Sequence, residues 1–291
     1  MKRKITSVLL LLAMLVSLVA VLPVASAAEG EAKLAGTDVM LTDGILLNFY
    51  VEADESLGID NATLSDGYYV VTEELAAKEM GDSVTAQFKN GDTVVAEYTF
   101  SVKEYAAGIL AGEKYDAETK ALVSAMLNYG AAAQKYFKYE ADKLVGTPVT
   151  DTSALLAAEV ADVEVTDEAG IFAGASLVLD GTMKLRFYFL GNDLDVTIDG
   201  NAAPVVNVGA KACYADMAIT PDNVDKVYEV KSGDTTVKYS ALNYLKNKAE
   251  DAELSEIVAS IYAYSTAADR YVLVQNCTHD DVPYIQLPTM S

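Results

Sequence analysis

The stretch Leu47-Asn48-Phe49-Tyr50-Val51 recurs 138 positions later as Leu185-Arg186-Phe187-Tyr188-Phe189. A longer apolar segment, residues 122–129, recurs 135 positions later as residues 257–264, and each copy reaches another tyrosine seven residues on, at Tyr136 and Tyr271. Because these markers keep the same order at nearly constant spacing, the sequence predicts a duplicated module. The repeated residues are apolar and aromatic, so the duplication concerns the framework of the fold.

Each copy begins with a pattern typical of β-strands. Asp43-Gly44 and Asn90-Gly91 predict hairpin turns in the first copy, since glycine and asparagine tolerate the positive φ of tight turns. Asp180-Gly181 and Ser232-Gly233-Asp234 take their places in the second copy. The extended candidates are residues 39–41, 45–51, 68–71, 84–88 and 94–100, then 178–179, 183–190, 194–198, 205–208, 224–230 and 235–239.

Each copy ends with a pattern typical of helices. Ser101 and Glu104 form a capping-box pattern that predicts a short helix to about residue 111. A second helix is predicted over residues 117–139, and Ser240 opens the corresponding pair in the second copy. The apolar stripes follow helical spacing and comprise Leu122, Met126, Tyr129, Ala133, Tyr136 and Phe137, then Ile257, Ile261, Tyr264, Ala268, Tyr271 and Val272.

These patterns predict an α+β protein of two tandem modules, each a small antiparallel β-sheet or sandwich followed by a C-terminal helix hairpin. The first module covers residues 28–145 and the second residues 154–275. Residues 146–153 are the expected linker, because they contain a glycine, a proline and polar residues. Residues 276–291 form a polar tail that is expected to fray.

The N-terminus resembles an export signal. A basic start at residues 2–4 precedes an apolar run over residues 5–21 and an Ala-Ser-Ala cleavage pattern at residues 25–27. Cleavage after residue 27 removes three positive charges and changes the formal charge from −22 to −25. Such an acidic surface disfavours nucleic acid as a partner. We therefore expect a secreted or cell-surface protein with no membrane span after signal cleavage.

Signatures of catalysis are missing from the sequence. The chain has one histidine, His279, in the predicted tail, and it contains no Gly-x-Ser-x-Gly elbow. Its carboxylates are abundant, but no pair stands out as the acid and base of glycoside hydrolysis. Cys213 and Cys277 are candidates for one disulfide or for two free thiols. The sequence thus favours a protein that is not an enzyme.

A calcium loop is one candidate site, at Asp193, Asp195 and Asp199, because alternating oxygen ligands suit that cation. The match to an EF-hand fails at Thr197 and Ile198, where that motif requires Asp or Asn and then glycine. A strand that ends in the Asp199-Gly200 turn explains the same residues. Calcium therefore stays an alternative, and no other cofactor is expected.

Tyrosine is the residue type that points to a ligand. The chain has 18 tyrosines and no tryptophan, and flat aromatic rings on a β-sheet face can stack on sugars. Tyr68 and Tyr69 are adjacent, so one of them faces outward in a strand. Tyr50 and Tyr188 share the doubled Phe-Tyr motif, in which either the Phe or the Tyr is buried. These four tyrosines are the candidate ligand-binding residues.

Three stretches together resemble a known module. They are the Leu-x-Phe-Tyr strand after an Asp-Gly turn, Ala-Ala-Lys-Glu-Met at residues 76–80, and Leu-Asn-Tyr-Gly-Ala-Ala-Ala-Gln-Lys-Tyr-Phe at residues 127–137. The module recurs in large secreted and surface proteins of anaerobic gut Firmicutes. The second copy departs from it, with Asp216-Met217 for Glu79-Met80 and Ser265-Thr266 for Gly130-Ala131. The resemblance implies secretion and modularity, and it implies no site residue.

The sequence therefore favours a secreted binding or adhesion protein whose ligand is a glycan or a cell-wall polymer. Two alternatives stay open. One is a structural spacer or protein–protein scaffold of an extracellular assembly. The other is a carbohydrate-active enzyme whose carboxylates the sequence does not identify.

Overall fold

The computed structural model describes residues 32–275 and 284–291 and shows a mixed α+β protein with several antiparallel sheets. The expected signal segment, residues 1–27, lies outside the described residues. No helix among the described residues combines the length and the apolar character needed to span a bilayer.

The first part of the chain forms three hairpins, each of two consecutive strands. The predicted turns are confirmed, because Leu41 pairs with Ile45 across the first and Asn90 pairs with Thr93 across the second. Gly91 has a φ of 58°, the left-handed conformation that a tight hairpin requires. The strands are β1 (Ala32–Leu41), β2 (Ile45–Ala53), β3 (Thr63–Ser65), β4 (Tyr68–Leu75), β5 (Val84–Asn90) and β6 (Thr93–Phe100).

Three helices follow, and side-chain caps explain where the first two begin, the first of them as predicted. The Ser101 hydroxyl accepts from the Glu104 amide, and the Glu104 carboxylate accepts from the Ser101 amide, so the capping box is confirmed. The Asp116 carboxylate accepts from the Thr119 amide at 2.7 Å and caps the second helix. The helices are α1 (Val102–Ala111), α2 (Ala117–Phe137) and α3 (Ser153–Ala157).

The rest of the chain returns to strands before two more helices. Ser240 and Asn243 form the cap of the fourth helix, as predicted from the serine. The strands are β7 (Glu164–Thr166), β8 (Phe172–Val178), β9 (Lys184–Leu190), β10 (Thr197–Ile198), β11 (Asn201–Ala202), β12 (Val205–Val208), β13 (Ala212–Ala218), β14 (Tyr228–Ser232) and β15 (Thr235–Tyr239). The last elements are α4 (Ala241–Lys248), α5 (Ser255–Gln275) and β16 (Ile285–Gln286).

In the part of the chain that the structure describes, the strands form four sheets, and every pairing is antiparallel. The first sheet has the order β16-β1-β2-β4-β3, and the hairpin β5-β6 forms a second, two-stranded sheet. The third sheet has the order β12-β13-β9-β8, and the fourth has the order β11-β10-β14-β15-β7. Residues from all four sheets and from the long helices share one buried apolar core.

The end of the chain differs from expectation. The tail was expected to fray, but residues 284–291 lie against β1: Ile285 pairs with Leu41, and the Leu287 amide donates to the Val39 carbonyl at 2.9 Å. Ile285 and Leu287 are both buried. Two apolar residues in a polar stretch are enough to anchor it because the exposed edge of β1 supplies its hydrogen bonds.

The long helices α2 and α5 pack against each other with opposite directions. Lys135 near the end of α2 pairs with Glu256 near the start of α5, and Arg270 pairs with Glu118 at the opposite ends. The predicted α5 stripe is buried throughout. The prediction that the whole α2 stripe is buried is wrong at Tyr136, which is 43% exposed. This residue lies in the last helical turn and packs edge-on against Phe137.

The segment expected to be a linker packs between these helices. The Thr147 amide donates to the Asn128 side chain in α2, and the Val149 amide donates to the Ser260 hydroxyl in α5, both at 2.9 Å. Gly146 lies so close to α2 that a Cβ there would be 2.7 Å from the Leu127 carbonyl.

Candidate functional site

The doubled Phe-Tyr motif places its phenylalanines in the core and its tyrosines on the outer faces of two sheets. In β2, Phe49 is fully buried, whereas Tyr50 lies on the opposite face. In β9, Phe187 is fully buried and Tyr188 lies on the opposite face. Since side chains alternate along a strand, the flanking polar residues of each strand share the face of the tyrosine.

An open groove of about 770 Å³ lies over the outer face of the first sheet. Strands β1 to β4 and residues 284–291 line it, and the described residues of its lining include no lysine, arginine or histidine. The lining residues that matter most for the chemistry are Asn48, Tyr50, Asp66, Tyr68, Thr72 and Gln286. The segment 284–291 therefore contributes one wall of the groove.

Asp38 is hydrogen-bonded to several of the polar side chains at the floor of this groove. Its carboxylate accepts from Asn48 at 2.8 Å, Tyr50 at 2.7 Å, Gln286 at 2.8 Å and Thr289 at 3.4 Å. Asp38 is itself fully buried, and no cation among the described residues is paired with it. A buried carboxylate needs such a set of donors, because burial without hydrogen bonds would cost several kcal/mol (roughly 2–7 even for a neutral group).

Tyr50 is held in one orientation by its neighbours. Burial and the hydrogen bond to the Asp38 carboxylate raise the pKa of Tyr50 well above its usual value, so its hydroxyl keeps the proton that it donates. Its ring meets the Tyr68 ring edge-on, with centroids 6.4 Å apart and an interplanar angle of 90°. The pair presents aromatic surface beside polar groups.

A polar row crosses the strands of the first sheet. Asp38 is paired with Asn48 in register, and Asn48 with Thr72, whose hydroxyl donates to the Asn48 side-chain oxygen at 2.6 Å. Each polar group in this row therefore has a defined donor or acceptor role.

The third sheet carries a row at the corresponding register positions. Ser176 pairs with Arg186, and Arg186 pairs with Asp216. The Arg186 guanidinium binds the Asp216 carboxylate through two bonds of 2.7 and 2.8 Å and lies 3.6 Å from the centre of the Tyr214 ring. Tyr188 contacts the Ser176 hydroxyl at 3.1 Å. The charges of Arg186 and Asp216 on this face therefore neutralise each other.

The four predicted tyrosines lie in three environments. Tyr50 and Tyr68 line the groove. Tyr69 packs against the core from the opposite face of β4, and Tyr188 lies on the third sheet. Asp38, Asn48 and Gln286 were missed by the sequence analysis. A signal for the first two existed, since each is a polar residue inside an otherwise apolar strand.

The structure does not bring the three candidate calcium ligands together. Asp193 accepts from the Asn207 side chain at 2.8 Å, Asp199 lies 3.4 Å from Lys226, and Asp195 is exposed. In residues 32–275 and 284–291, no group of three or more His, Cys, Asp or Glu side chains is placed to hold a metal ion.

The cysteine pair is described only in part. Cys213 is fully buried in β13, and burial raises the pKa of its thiol. Cys277 and His279 lie outside the described residues. The disulfide between Cys213 and Cys277 therefore stays a prediction.

Comparisons with known proteins add no relative. No protein-family model matches the chain, and neither a curated protein nor a solved structure is significantly similar to it.

Proposed function

We propose that this protein is a secreted, non-catalytic binding protein whose groove on the first sheet holds a glycan or a cell-wall polymer. The observation on which this depends is the groove itself. It combines the exposed ring of Tyr68, the oriented hydroxyl of Tyr50 and a row of hydrogen-bonding side chains on a rigid sheet. Sugars present apolar ring faces and many hydroxyls, so they are bound by aromatic surfaces flanked by polar groups.

The environment of Asp38 supports a binding role rather than a hydrolytic one. Glycoside hydrolysis requires two carboxyl groups that flank the scissile bond, about 5–10 Å apart. Asp38 is fully buried and fully engaged with side chains of the protein, so it acts on the orientation of Asn48, Tyr50 and Gln286. Among the described residues that line the groove, Asp66 is the one aspartate or glutamate, and it is exposed.

The proposal includes an arrangement of two tandem modules, each with its β-layers followed by a helix hairpin, as in the gut Firmicutes module that the sequence resembles. The matching polar rows of the first and third sheets support it. The faces differ in chemistry, since the third sheet carries an Arg–Asp pair. A second ligand site around Tyr188 would raise avidity, because a tethered second binding event is intramolecular.

The test is binding to insoluble polysaccharides and purified cell walls, measured by co-sedimentation, with Tyr68→Ala as the diagnostic variant. Tyr136→Ala is the matched control, since Tyr68 and Tyr136 are similarly exposed (38% and 43%) but Tyr136 lies on α2, outside the groove. We expect about a tenfold loss for Tyr68→Ala, since truncation of an important aromatic residue in a binding surface costs more than about 1 kcal/mol. Binding that Tyr68→Ala leaves intact would exclude the groove.

A scaffold role is the second candidate, and one surface favours it. The edge strand β12 exposes Val206 and Val208, at 47% and 52%, and the nearby Leu190 of β9 is 52% exposed. Unpaired edges with apolar side chains are templates for pairing with another chain. Concentration-dependent self-association, abolished by Val206→Lys and accompanied by no polysaccharide binding, would favour this role over the groove.

A further inference from the structure

The hydrogen bonds within the protein fix which side chains at the groove floor can donate to a ligand and which can accept from it. An ionised carboxylate only accepts hydrogen bonds, so Asp38 takes up the donors that surround it. The Tyr50 hydroxyl has one proton and gives it to Asp38. The Gln286 amide nitrogen faces Asp38 and the Tyr50 oxygen, at 2.8 and 3.3 Å. Tyr50 and Gln286 therefore offer a ligand mainly hydrogen-bond acceptors.

Thr72 also uses its hydroxyl proton in a hydrogen bond within the protein. Its hydroxyl proton is directed to the Asn48 side-chain oxygen at 2.6 Å, and the Asn48 nitrogen is directed to Asp38. Tyr50, Thr72 and Gln286 thus offer a ligand oxygen lone pairs. The hydroxyls of Thr63, Ser65 and Tyr68, which also line the groove, can still donate. Tyr50 does not ionise to change this, since its pKa is raised by burial and by the adjacent carboxylate.

The charges around the groove have one sign. Asp66 is exposed at the rim, and no cationic side chain lines the groove in the part of the chain that the structure describes. The whole chain has a formal charge of −22. An anionic polymer would meet this negative field without any partner for its own charge, which disfavours it.

We infer that the groove prefers a glycan with free amino groups, a polymer of the glucosamine type, over neutral and anionic glycans; this inference rests on the proposed function. A protonated amine offers three donors and no acceptor, which complements the side-chain oxygens of Tyr50, Thr72 and Gln286. Its positive charge complements Asp66. N-acetylation removes that charge and replaces two donors by a bulky acyl group.

The experiment is calorimetric titration of the purified protein with four oligosaccharides of equal length: glucosamine, N-acetylglucosamine, glucose and galacturonate oligomers. We expect the glucosamine oligomer to bind about fivefold or more tightly than the other three, the contribution of about 1 kcal/mol that an exposed charge pair makes. The preference should decrease as salt is raised, because salt screens exposed charges.

Two substitutions separate recognition in the groove from attraction to an acidic protein. Asp66→Asn removes the rim charge, and asparagine accepts the left-handed backbone found there, with a φ of 49°. Asp92→Asn removes one exposed charge from the β5–β6 turn, which does not line the groove. We expect Asp66→Asn to abolish most of the preference for glucosamine and Asp92→Asn to leave it unchanged.

The outcomes distinguish the inference from the proposed function. Equal or tighter binding of an acetylated, neutral or anionic oligomer, lost on Tyr68→Ala, would overturn the inference and leave the proposed function standing. Equal losses in Asp66→Asn and Asp92→Asn would also overturn it, since they indicate attraction to net charge. If no oligomer binds in a Tyr68-dependent manner, both fail.

Discussion

Tyr129 of α2 and Tyr264 of α5 stack on each other, with ring centroids 5.6 Å apart and an angle of 18° between their planes. The two residues occupy matching positions in the repeated segments, 135 residues apart. Lys135 and Arg270 are also 135 residues apart, and each forms an ion pair with the opposite helix. The two equivalent tyrosines thus contact each other near the middle of the α2–α5 pair. The two equivalent basic residues form ion pairs at its opposite ends.

The tyrosine stack should contribute strongly to stability, because both rings are at least 94% buried. We expect Tyr129→Ala and Tyr264→Ala each to lower the free energy of unfolding by about 3–5 kcal/mol, as for other large aromatic residues in a core. The double variant should cost less than the sum by about 0.5–1.5 kcal/mol, the coupling typical of aromatic pairs. Urea unfolding of all variants measures both quantities, and strict additivity would contradict a direct contribution from the stack.

The cap of α2 should make stability depend on pH in the acid range. The Thr119 amide holds the pKa of Asp116 below its usual value, so the folded state favours the carboxylate. Its contribution is complete above the unfolded pKa of about 3.9 and is lost as the pH falls through the lower folded value.

Asp116→Asn tests this dependence, because asparagine also caps helices but does not titrate. We expect the wild type to be more stable than the variant at pH 7 and the difference to disappear as the pH falls below about 4. Thermal unfolding between neutral and strongly acidic pH measures it. A difference that stays constant across this range would show that the carboxylate charge does not contribute.

Local patterns in the sequence were sufficient for much of the fold. The two hairpin turns and the caps at Ser101 and Ser240 depend on residues within a few positions of each other, and all are confirmed. Strand β13 was not predicted, because Ala-Cys-Tyr-Ala-Asp-Met-Ala is rich in small residues with low β-propensity. Its pairing with β9 provides the context that the local sequence lacks.

The groove was predictable only in part, since its central contacts join distant parts of the chain. Tyr50 and Tyr68 were candidates because of their residue type and their alternation in strands. The bond from Gln286 to Asp38 spans 248 positions, and no local pattern indicates it. A polar residue inside an apolar strand, such as Asp38, indicates that a partner exists without identifying it.

Gly146 is required by close approach rather than by backbone conformation. A Cβ at this position would lie 2.7 Å from the Leu127 carbonyl carbon and oxygen and 2.9 Å from the Asn128 nitrogen, all backbone atoms that cannot rotate away. We expect Gly146→Ala to lower the free energy of unfolding by about 1–3 kcal/mol, the usual range for overpacking. Chemical denaturation measures it, and an unchanged or increased stability would mean that this segment can move off α2 at no cost.

The wall of the groove formed by residues 284–291 depends on Tyr105 in α1. The buried Tyr105 hydroxyl donates to the Pro288 carbonyl at 2.6 Å, between the two points where the segment bonds to β1. Tyr105→Phe removes this bond alone. We expect the amides of Leu287 and Met290 to exchange with solvent about fivefold faster, because one neutral hydrogen bond contributes about 1 kcal/mol.

Tyr98→Phe is the matched control for this prediction. Tyr98 is another buried tyrosine, and its hydroxyl donates to the Ala32 carbonyl at 3.1 Å, at the far end of β1. It should leave exchange at Leu287 and Met290 unchanged. Hydrogen–deuterium exchange of the two variants measures the exchange rates of these two amides. If Tyr105→Phe weakens polysaccharide binding as well, the docked segment contributes to the groove, whereas equal exchange in the two variants would contradict the role of Tyr105.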